Sequence, residues 1–145
     1  MLDCFDGSIQ GFHMDDNMRA GLCVQALENT CKNTRTEGAI LHSDRGSQFT
    51  SQAFRTALRR HKLVQSMSGT GRCYDNARME SFFATLKKEK LYRVDTSKLR
   101  RDAVKSIVFR YICYYNLRRI SSVTGGLPPL VYRRNFYYTI SHPAA

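Results

Sequence analysis

The pattern of apolar and polar positions at the start of the chain predicts a strand hairpin followed by a helix. Residues 1–14 alternate as two short strands would, joined by Asp6-Gly7, a dipeptide that supplies the positive φ of a tight turn. Apolar side chains then recur at every fourth position over residues 17–31, the spacing of one helix face. Asp15 and Asp16 precede this segment and are expected to cap it. We therefore expect the first helix to pack on a sheet.

The middle of the chain alternates between strand and helix patterns. Residues 38–43 contain a short, continuously apolar run that is typical of a buried parallel strand. Residues 51–61 predict a helix with Phe54 and Leu58 facing inward, and Thr50 or Ser51 as its cap. The remaining expected elements are a strand over 63–67, a glycine-containing loop over 68–74 and helices over 76–91 and 99–117. This order predicts an α/β fold, a mixed sheet with helices on both of its faces.

The end of the chain has a different composition. Gly125-Gly126 and Pro128-Pro129 are expected to break the helical pattern. Residues 132–138, which contain basic and aromatic side chains, then predict a tail that can lie on nucleic acid. We accordingly divide the chain into a core over residues 1–117 and a basic, aromatic C-terminal tail over 118–145.

Charge is the compositional feature that bears most on function. Lys and Arg number 23 against 12 Asp and Glu, which gives the chain of 145 residues a formal charge of +11. Residues 1–50 carry −3, residues 51–85 carry +4 and residues 86–145 carry +10. A surplus of this size favours a polyanionic partner, with nucleic acid first among the classes, and places the contacts in the C-terminal half.

Cysteines and hydropathy limit the cellular setting. The chain has five cysteines, an odd number, and none of them forms a C-x-x-C pair, which argues against a disulfide framework and a structural zinc site. There is no run of 18 apolar residues and the first residues do not form a signal sequence, so we expect neither membrane insertion nor secretion. The expected location is the reducing cytoplasm.

The first stretch with candidate chemistry runs from His42 to Ser51. It places Asp44 directly after an apolar strand, at the sheet edge where α/β proteins bind ligands. The alternative is an ordinary polar turn, in which Asp44 and Gly46 serve only the backbone geometry. His42 alternates onto the same side of the strand as Asp44, where it either packs structurally or approaches a ligand.

The second stretch runs from Tyr74 to Glu89 and predicts a helix with Asp75 as its N-cap. At 100° per residue, Asn76, Glu80 and Lys87 share one margin of the apolar stripe. Glu80 also lies in the first turn, where the positive end of the helix favours a carboxylate. The alternative is a solvated helix flank with no chemical role.

Taken together, these stretches resemble a known family. The segments H-S-D-R-G-S-Q-F at 42–49 and D-N-A-R-M-E-S-F-F at 75–83, with 35 residues between Asp44 and Glu80, are similar to the core of bacterial insertion-sequence transposases. These belong to the DDE superfamily, to which retroviral integrases are related. The resemblance continues through residues 86–89 and 114–119 and so extends over nearly the whole chain.

The resemblance implies a ribonuclease H-like fold in which three carboxylates bind two divalent metal ions, Mg²⁺ or Mn²⁺. One ion would activate water or a DNA 3′ hydroxyl, and the other would stabilise the leaving oxygen. By position, Asp44 would be the second carboxylate and Glu80 the third. Asn76 and Lys87 would contact DNA near the scissile phosphate, and the DNA-binding set would also include Lys88, Arg118 and Arg119.

The sequence departs from the family at its start. The strand that carries the family's first aspartate has no counterpart before the segment that residues 1–6 resemble, so we expect a fold truncated at its N-terminus. Asp3 and Asp6 are candidate replacements, although they resemble the turn end of the second strand. With two carboxylates in place of three, we expect little or no DNA cleavage by the isolated chain.

Two functions remain open at this point. The first is a transposase catalytic core for metal-dependent DNA strand transfer, present as an incomplete copy, with transposon ends and target DNA as partners. The alternative is a non-catalytic DNA-binding remnant that competes with or regulates the full enzyme. Either one can pair with a second copy or with other transposase fragments through unpaired strand edges. A general RNA-binding domain is less favoured, because binding a polyanion requires no carboxylate pair.

Overall fold

The computed structural model describes residues 1–17, 19–69 and 76–142. The expected cap Asp75 and most of the expected loop over 68–74 lie outside these residues. The chain divides into two compact units: unit 1 comprises Met1 and residues 10–81, and unit 2 comprises residues 2–9 and 82–145. This division differs from the expected one at residue 117, and the segment expected as a tail belongs to unit 2.

Unit 1 is built from helices around a short parallel sheet. Its elements are α1 (Ala20–Asn33), β1 (Ile40–Ser43), α2 (Ser47–Thr50), α3 (Gln52–Arg60), β2 (Val64–Met67) and the first turn of α4 (Ala77–Glu89). The helices and strands expected over 17–31, 51–61 and 63–67 are therefore confirmed to within a few residues, whereas α2 was not expected. The core lies between α1 and α3 and consists of Cys23, Leu27, Phe54, Ala57 and Leu58.

The inward positions of α3 follow directly from its sequence. Phe54 and Leu58 are one helical turn apart and are 0% and 2% exposed, as expected from their spacing. Ser51 is the N-cap, and its hydroxyl accepts a hydrogen bond from the backbone N–H of Phe54. The Phe49 ring packs edge-on against Phe54, with 5.3 Å between the ring centroids.

Two expectations for unit 1 were wrong. Helix α1 begins at Ala20 with Arg19 as its N-cap, so neither Asp15 nor Asp16 caps it; the Asp15 carboxylate instead accepts a hydrogen bond from the next backbone N–H. Strand β1 pairs in parallel with β2, as expected, but it is covered on one face only. Ile40 points outward and is 70% exposed, because successive residues of a strand point to opposite faces.

Unit 2 joins a short N-terminal turn to the C-terminal helices. It contains residues 82–89 of α4, 3₁₀ helices over Leu91–Arg93, Thr96–Lys98 and Ser122–Thr124, and helices α5 (Arg101–Leu117) and α6 (Pro129–Ser141). The expected hairpin is reduced to one antiparallel bridge between Leu2 and Ile9, closed by a turn in which Gly7 has φ 78°. Asn116 of α5 holds this turn, since its side chain exchanges two hydrogen bonds of 2.9 Å with the backbone of Ile9.

The helical structure is interrupted after residue 125, as expected. The residues expected to form a tail then form a further helix. Gly125 and Gly126 have φ of 63° and 83°, which turns the chain. Pro128 is then the N-cap of α6 and Pro129 its first residue. Proline fits this position because its φ is already helical and the missing N–H has no partner in the first turn. The aromatic and basic residues of 132–138 are therefore arranged around a helix.

Candidate metal and nucleic-acid site

Asp44 lies at the carboxyl end of β1, as the sequence predicted, and its side chain is exposed. Its Oδ1 accepts a hydrogen bond of 2.8 Å from the backbone N–H of Gly46, which fixes the carboxylate in a tight turn. A Cβ at position 46 would lie 3.0 Å from that same oxygen and 3.1 Å from Oε1 of Gln48. The glycine therefore leaves room for the carboxylate, while the second carboxylate oxygen remains on the surface.

The residues around Asp44 are held by the end of β2. The Arg45 Nε donates to the Ser68 carbonyl oxygen at 2.9 Å. The two ring nitrogens of His42 lie 3.0 Å from the Ser66 hydroxyl and 3.1 Å from the Ser68 hydroxyl. Because both ring nitrogens contact serine hydroxyls in or next to β2, a structural role for His42 is favoured over an approach to a ligand.

Cys23 belongs to the core of unit 1 and is within reach of the charge of Asp44. Burial raises the pKa of the Cys23 thiol, and the negative charge of Asp44 raises that pKa further. A thiol in this environment stays protonated and behaves as a small apolar side chain. It is therefore not a candidate metal ligand.

Glu80 lies in the first turn of α4 and is exposed, and it belongs to unit 1 with Asp44. Asn76 directly precedes α4 and is half-buried, and Lys87 lies seven residues after Glu80, hence on the same side of the helix. Lys88 is exposed in the last turn. The helix thus presents a carboxylate and an ammonium group along one face.

Asp3 and Asp6, the candidate replacements for a third carboxylate, are both bound by Arg133 of α6. The Arg133 Nε donates to Asp6 at 2.6 Å and its Nη2 donates to Asp3 at 2.5 Å. The Asp6 side chain is 0% exposed, and its other oxygen accepts hydrogen bonds from the backbone and the hydroxyl of Ser8. These carboxylates are structural ion-pair partners within unit 2.

The carboxylates of the described residues fit a site for two divalent metal ions only in part. Exposed carboxylate oxygens are suitable ligands for Mg²⁺ or Mn²⁺, and Asp44 and Glu80 supply them. However, residues 1–17, 19–69 and 76–142 contain no cluster of three or more His, Cys, Asp or Glu side chains that would hold a metal ion. These residues therefore do not complete a three-carboxylate centre.

Arg118 and Arg119, expected to contact DNA, differ in their surroundings. Arg118 is the C-cap of α5 and is exposed. Arg119 forms a forked ion pair with Glu89, with hydrogen bonds of 2.8–3.0 Å. The Tyr111 hydroxyl also donates to Glu89 at 2.8 Å, and burial followed by this contact raises the pKa of that hydroxyl. The hydrogen bond from Arg119 lowers the pKa of Glu89, so this network is ionic at neutral pH.

Comparison with known proteins places these motifs in a family. Residues 1–73 match the model of the integrase core domain, and residues 80–136 match a second model with the same description. The chain belongs to the integrase core domain family. InsK of insertion sequence element IS150 from Escherichia coli K12 is 35% identical to this integrase core domain over 138 residues, 94% of the chain and 48% of InsK.

The transposase InsF of insertion sequence IS3A, also from Escherichia coli K12, is 38% identical over 131 residues. The match covers 89% of the chain and 45% of InsF. The integrase core domain described here thus spans about half the length of the curated relatives it matches. InsF is a transposase and InsK a putative transposase of an insertion sequence.

Two solved structures with the same fold come from retroviral proteins. The catalytic core domain of BIV integrase superposes with a TM-score of 0.65 at 15% identity, covering 92% of this chain and 86% of that one. The intasome of simian T-cell lymphotropic virus, solved with a PP2A regulatory subunit, gives a TM-score of 0.68 at 17% identity, covering 83% of this chain and 42% of that one. The ribonuclease H-like fold is therefore confirmed. Among the helices of the described residues, none has the length and apolar character needed to cross a membrane.

Proposed function

We propose that this integrase core domain acts in DNA transposition, as a part of an insertion-sequence transposase that binds DNA and contributes Asp44 and Glu80 to a divalent-metal site. The observation that carries the proposal is the position of Asp44. Its carboxylate is exposed at the carboxyl end of β1, the sheet edge where α/β proteins bind ligands, and its Oδ1 accepts from the Gly46 N–H. Glu80, in the same unit, supplies a second exposed carboxylate.

The proposed DNA binding rests on exposed cationic side chains that form no ion pair within the part of the chain that the structure describes. Lys87, Lys88 and Arg118 are exposed, and Asn76 adds an amide beside Glu80. Contacts of this kind to phosphate position a protein on DNA and give salt-dependent binding with little sequence readout. Arg119 supports the surface through Glu89 instead of offering a free guanidinium. In a bacterium, transposon ends and target DNA would be met in the cytoplasm, at the nucleoid.

The alternative is DNA binding without cleavage, with the chain acting as a competitor or regulator of a complete transposase. It is favoured by the donor set, because no third carboxylate joins Asp44 and Glu80 within the described residues. Pairing with a second copy or with another transposase fragment would supply the missing ligand. We therefore assign no catalytic step to this chain alone.

The two functions are separated by assaying cleavage and binding on the same protein. Nicking of supercoiled plasmid is measured with Mn²⁺ for the unmodified chain, Asp44→Asn and Glu80→Gln, beside gel shifts over a salt series. Asp15→Asn is the control for the first variant, because Asp15 also accepts a backbone N–H, which an amide oxygen can do equally. Glu37→Gln, a change at an exposed carboxylate paired with Lys62, is the control for the second.

Nicking that is lost in Asp44→Asn and Glu80→Gln but kept in both controls would establish the catalytic function. Salt-sensitive binding without nicking, unchanged by all four substitutions, would establish the DNA-binding alternative. Absence of DNA binding at low salt would refute both. Isothermal titration with Mn²⁺ tests the metal site directly, since each of the first two variants is expected to bind Mn²⁺ more weakly than its control.

A further inference from the structure

A basic cleft lies within unit 2 and includes Arg118 and Arg119, two residues of the expected DNA-binding set. Its volume is about 910 Å³, and it is lined by Glu89, Lys90, Arg93, Arg110, Tyr111, Tyr114, Arg118, Arg119 and Ile120. One wall is formed by the end of α4 and the following 3₁₀ helix, and the other by the second half of α5. We refer to these nine residues as the α4–α5 cleft.

The charges of the α4–α5 cleft are unbalanced. Five of its side chains are cationic and one is a carboxylate. That carboxylate, Glu89, is already neutralised by the forked ion pair with Arg119. Within the described residues, no carboxylate lies within ion-pair distance of the other four cations, which are Lys90, Arg93, Arg110 and Arg118. Four positive charges around one concave surface repel each other, and a bound polyanion would relieve that repulsion.

The α5 wall has a regular order of side chains. Arg110, Tyr114 and Arg118 are spaced four residues apart, so they form one row along the helix. Tyr114 is 49% exposed, whereas Tyr111 behind it is 4% exposed, with 6.0 Å between the two ring centroids. The row therefore presents an aromatic face between two guanidinium groups, on a base of buried tyrosine.

The dimensions of this row match a short length of nucleic acid strand. Arg118, the C-cap of α5, follows Arg110 by eight residues, which corresponds to a rise of about 12 Å. Phosphates of one strand are about 3.4 Å apart along a duplex axis and farther apart in an unstacked single strand, so the row spans at most about three to four nucleotides. A basic groove combined with an exposed ring is the arrangement by which proteins bind single strands, because every base offers a face for stacking.

We propose that the α4–α5 cleft binds a short stretch of single-stranded DNA, with phosphates at Arg110 and Arg118 and one base stacked on Tyr114. The Glu89 network serves this site without contacting DNA. By holding Arg119 and Tyr111, it fixes the floor against which Tyr114 rests. This inference rests on the proposed role in DNA transposition and names the form of DNA that the cleft receives.

The experiment measures fluorescence anisotropy with a labelled oligo-dT and with a labelled duplex of the same length, over a salt series. The variants are the double substitution Arg110→Gln with Arg118→Gln, and Tyr114→Leu, which keeps an apolar side chain but removes the ring. Tyr114→Phe retains the ring. Tyr92→Leu is the control, because Tyr92 is an exposed tyrosine that does not line the cleft, 78% exposed.

We expect Tyr114→Leu to weaken oligo-dT binding by about five- to a hundredfold while Tyr114→Phe and Tyr92→Leu leave it within about twofold. The double arginine variant should lower the slope of log K against log salt by about 1.4 for the single strand, because each phosphate contact contributes about 0.7. Duplex binding should change less than oligo-dT binding in Tyr114→Leu.

The results separate this inference from the proposed function. If the unmodified chain binds neither oligonucleotide at low salt, the DNA-binding function itself is refuted. If it binds DNA but the Tyr114→Leu and arginine variants behave as Tyr92→Leu does, the cleft is overturned while the function stands. Equal losses for oligo-dT and duplex in Tyr114→Leu would overturn the single-strand assignment.

Discussion

Asn116 offers a sharp test of the packing of unit 2, because its side chain satisfies both backbone groups of one buried residue. Its Oδ1 accepts from the Ile9 N–H and its Nδ2 donates to the Ile9 carbonyl oxygen, both at 2.9 Å. Ile9 and Asn116 are 7% and 8% exposed, so water has little access to either group. Replacing Asn116 by alanine leaves two buried polar groups without their partners.

The magnitude follows from the cost of those groups. An unsatisfied buried donor or acceptor costs about 1–3 kcal/mol, so Asn116→Ala should lower the free energy of unfolding by about 2–4 kcal/mol. Asn116→Asp should be at least as damaging at neutral pH. The new carboxylate still accepts from the Ile9 N–H, but its second oxygen takes the place of Nδ2 and lies against the Ile9 carbonyl oxygen.

Acid should partly rescue Asn116→Asp. A protonated carboxyl donates to the Ile9 carbonyl oxygen, so the pKa of the introduced aspartate is raised in the folded state above its unfolded value of about 3.9. The stability that this group contributes is then fully present below the unfolded pKa and is lost as the pH rises through the folded pKa. The pH dependence of Asn116→Asp is therefore expected to run opposite to that of a typical ion-paired carboxylate.

The assay is urea denaturation followed by circular dichroism, together with hydrogen exchange of the Ile9 amide. A loss of 2–4 kcal/mol corresponds to exchange that is faster by about thirty- to a thousandfold. Asn135, an exposed residue of α6, provides the matched controls Asn135→Ala and Asn135→Asp. The reasoning is refuted if Asn116→Asp is as stable as Asn135→Asp at neutral pH, or if the difference between them fails to shrink on acidification.

Three further predictions concern stability and are checked by urea denaturation. Gly11→Ala should lower the free energy of unfolding by more than about 2 kcal/mol, because the new Cβ would lie 2.8 Å from a backbone Cα of α1. Gly21→Ala is the control: a Cβ there has nothing within 4 Å and should raise the free energy of unfolding by about 0.5 kcal/mol. Equal effects of the two substitutions would contradict the packing at Gly11. Because the pKa of Glu89 is lowered in the folded state, the stability that Glu89 contributes is present above about pH 4.5 and is lost as the pH falls through the folded pKa. Arg119→Met should therefore reduce the loss of the urea midpoint on acidification. An unchanged dependence of that midpoint on pH would argue against the ion pair between Arg119 and Glu89. Phe54→Ala should cost about 3–5 kcal/mol because Phe54 is 0% exposed, and a loss below about 1 kcal/mol would show that the core is wrongly assigned.

Elements with local causes could be predicted from the sequence. Helix α3 has its inward residues one turn apart and its cap at Ser51, so all its determinants lie within ten residues. The exposure of Ile40 could not be predicted in this way, because an apolar run does not reveal whether one face or two will be covered. The helix that begins at Pro129 could not be predicted for a related reason. Proline ends a helix that reaches it, but it also suits the first turn of a new helix.

The candidate site, too, could be predicted only where its determinants are local in the sequence. Asp44 and Glu80 were found from their motifs and spacing, and the structure places both on the surface, although their role in metal binding stays a prediction. Arg119 was predicted as a DNA contact because nothing in its neighbourhood reveals Glu89, 30 residues earlier. The ion pair between Arg133 and Asp6 joins residues 127 positions apart, and no local pattern indicates such a pair.

The assembly of unit 2 from both ends of the sequence has a consequence for synthesis on the ribosome. The turn over residues 2–9 acquires its partners Asn116 and Arg133 only after more than a hundred further residues have been made. Until then Asp6 has no guanidinium to neutralise it and the Ile9 backbone has no amide. Contacts of such long sequence separation form slowly, since a large loop must close first. Unit 1, all of which precedes residue 82, can fold earlier, so we expect the two units to fold in succession during translation.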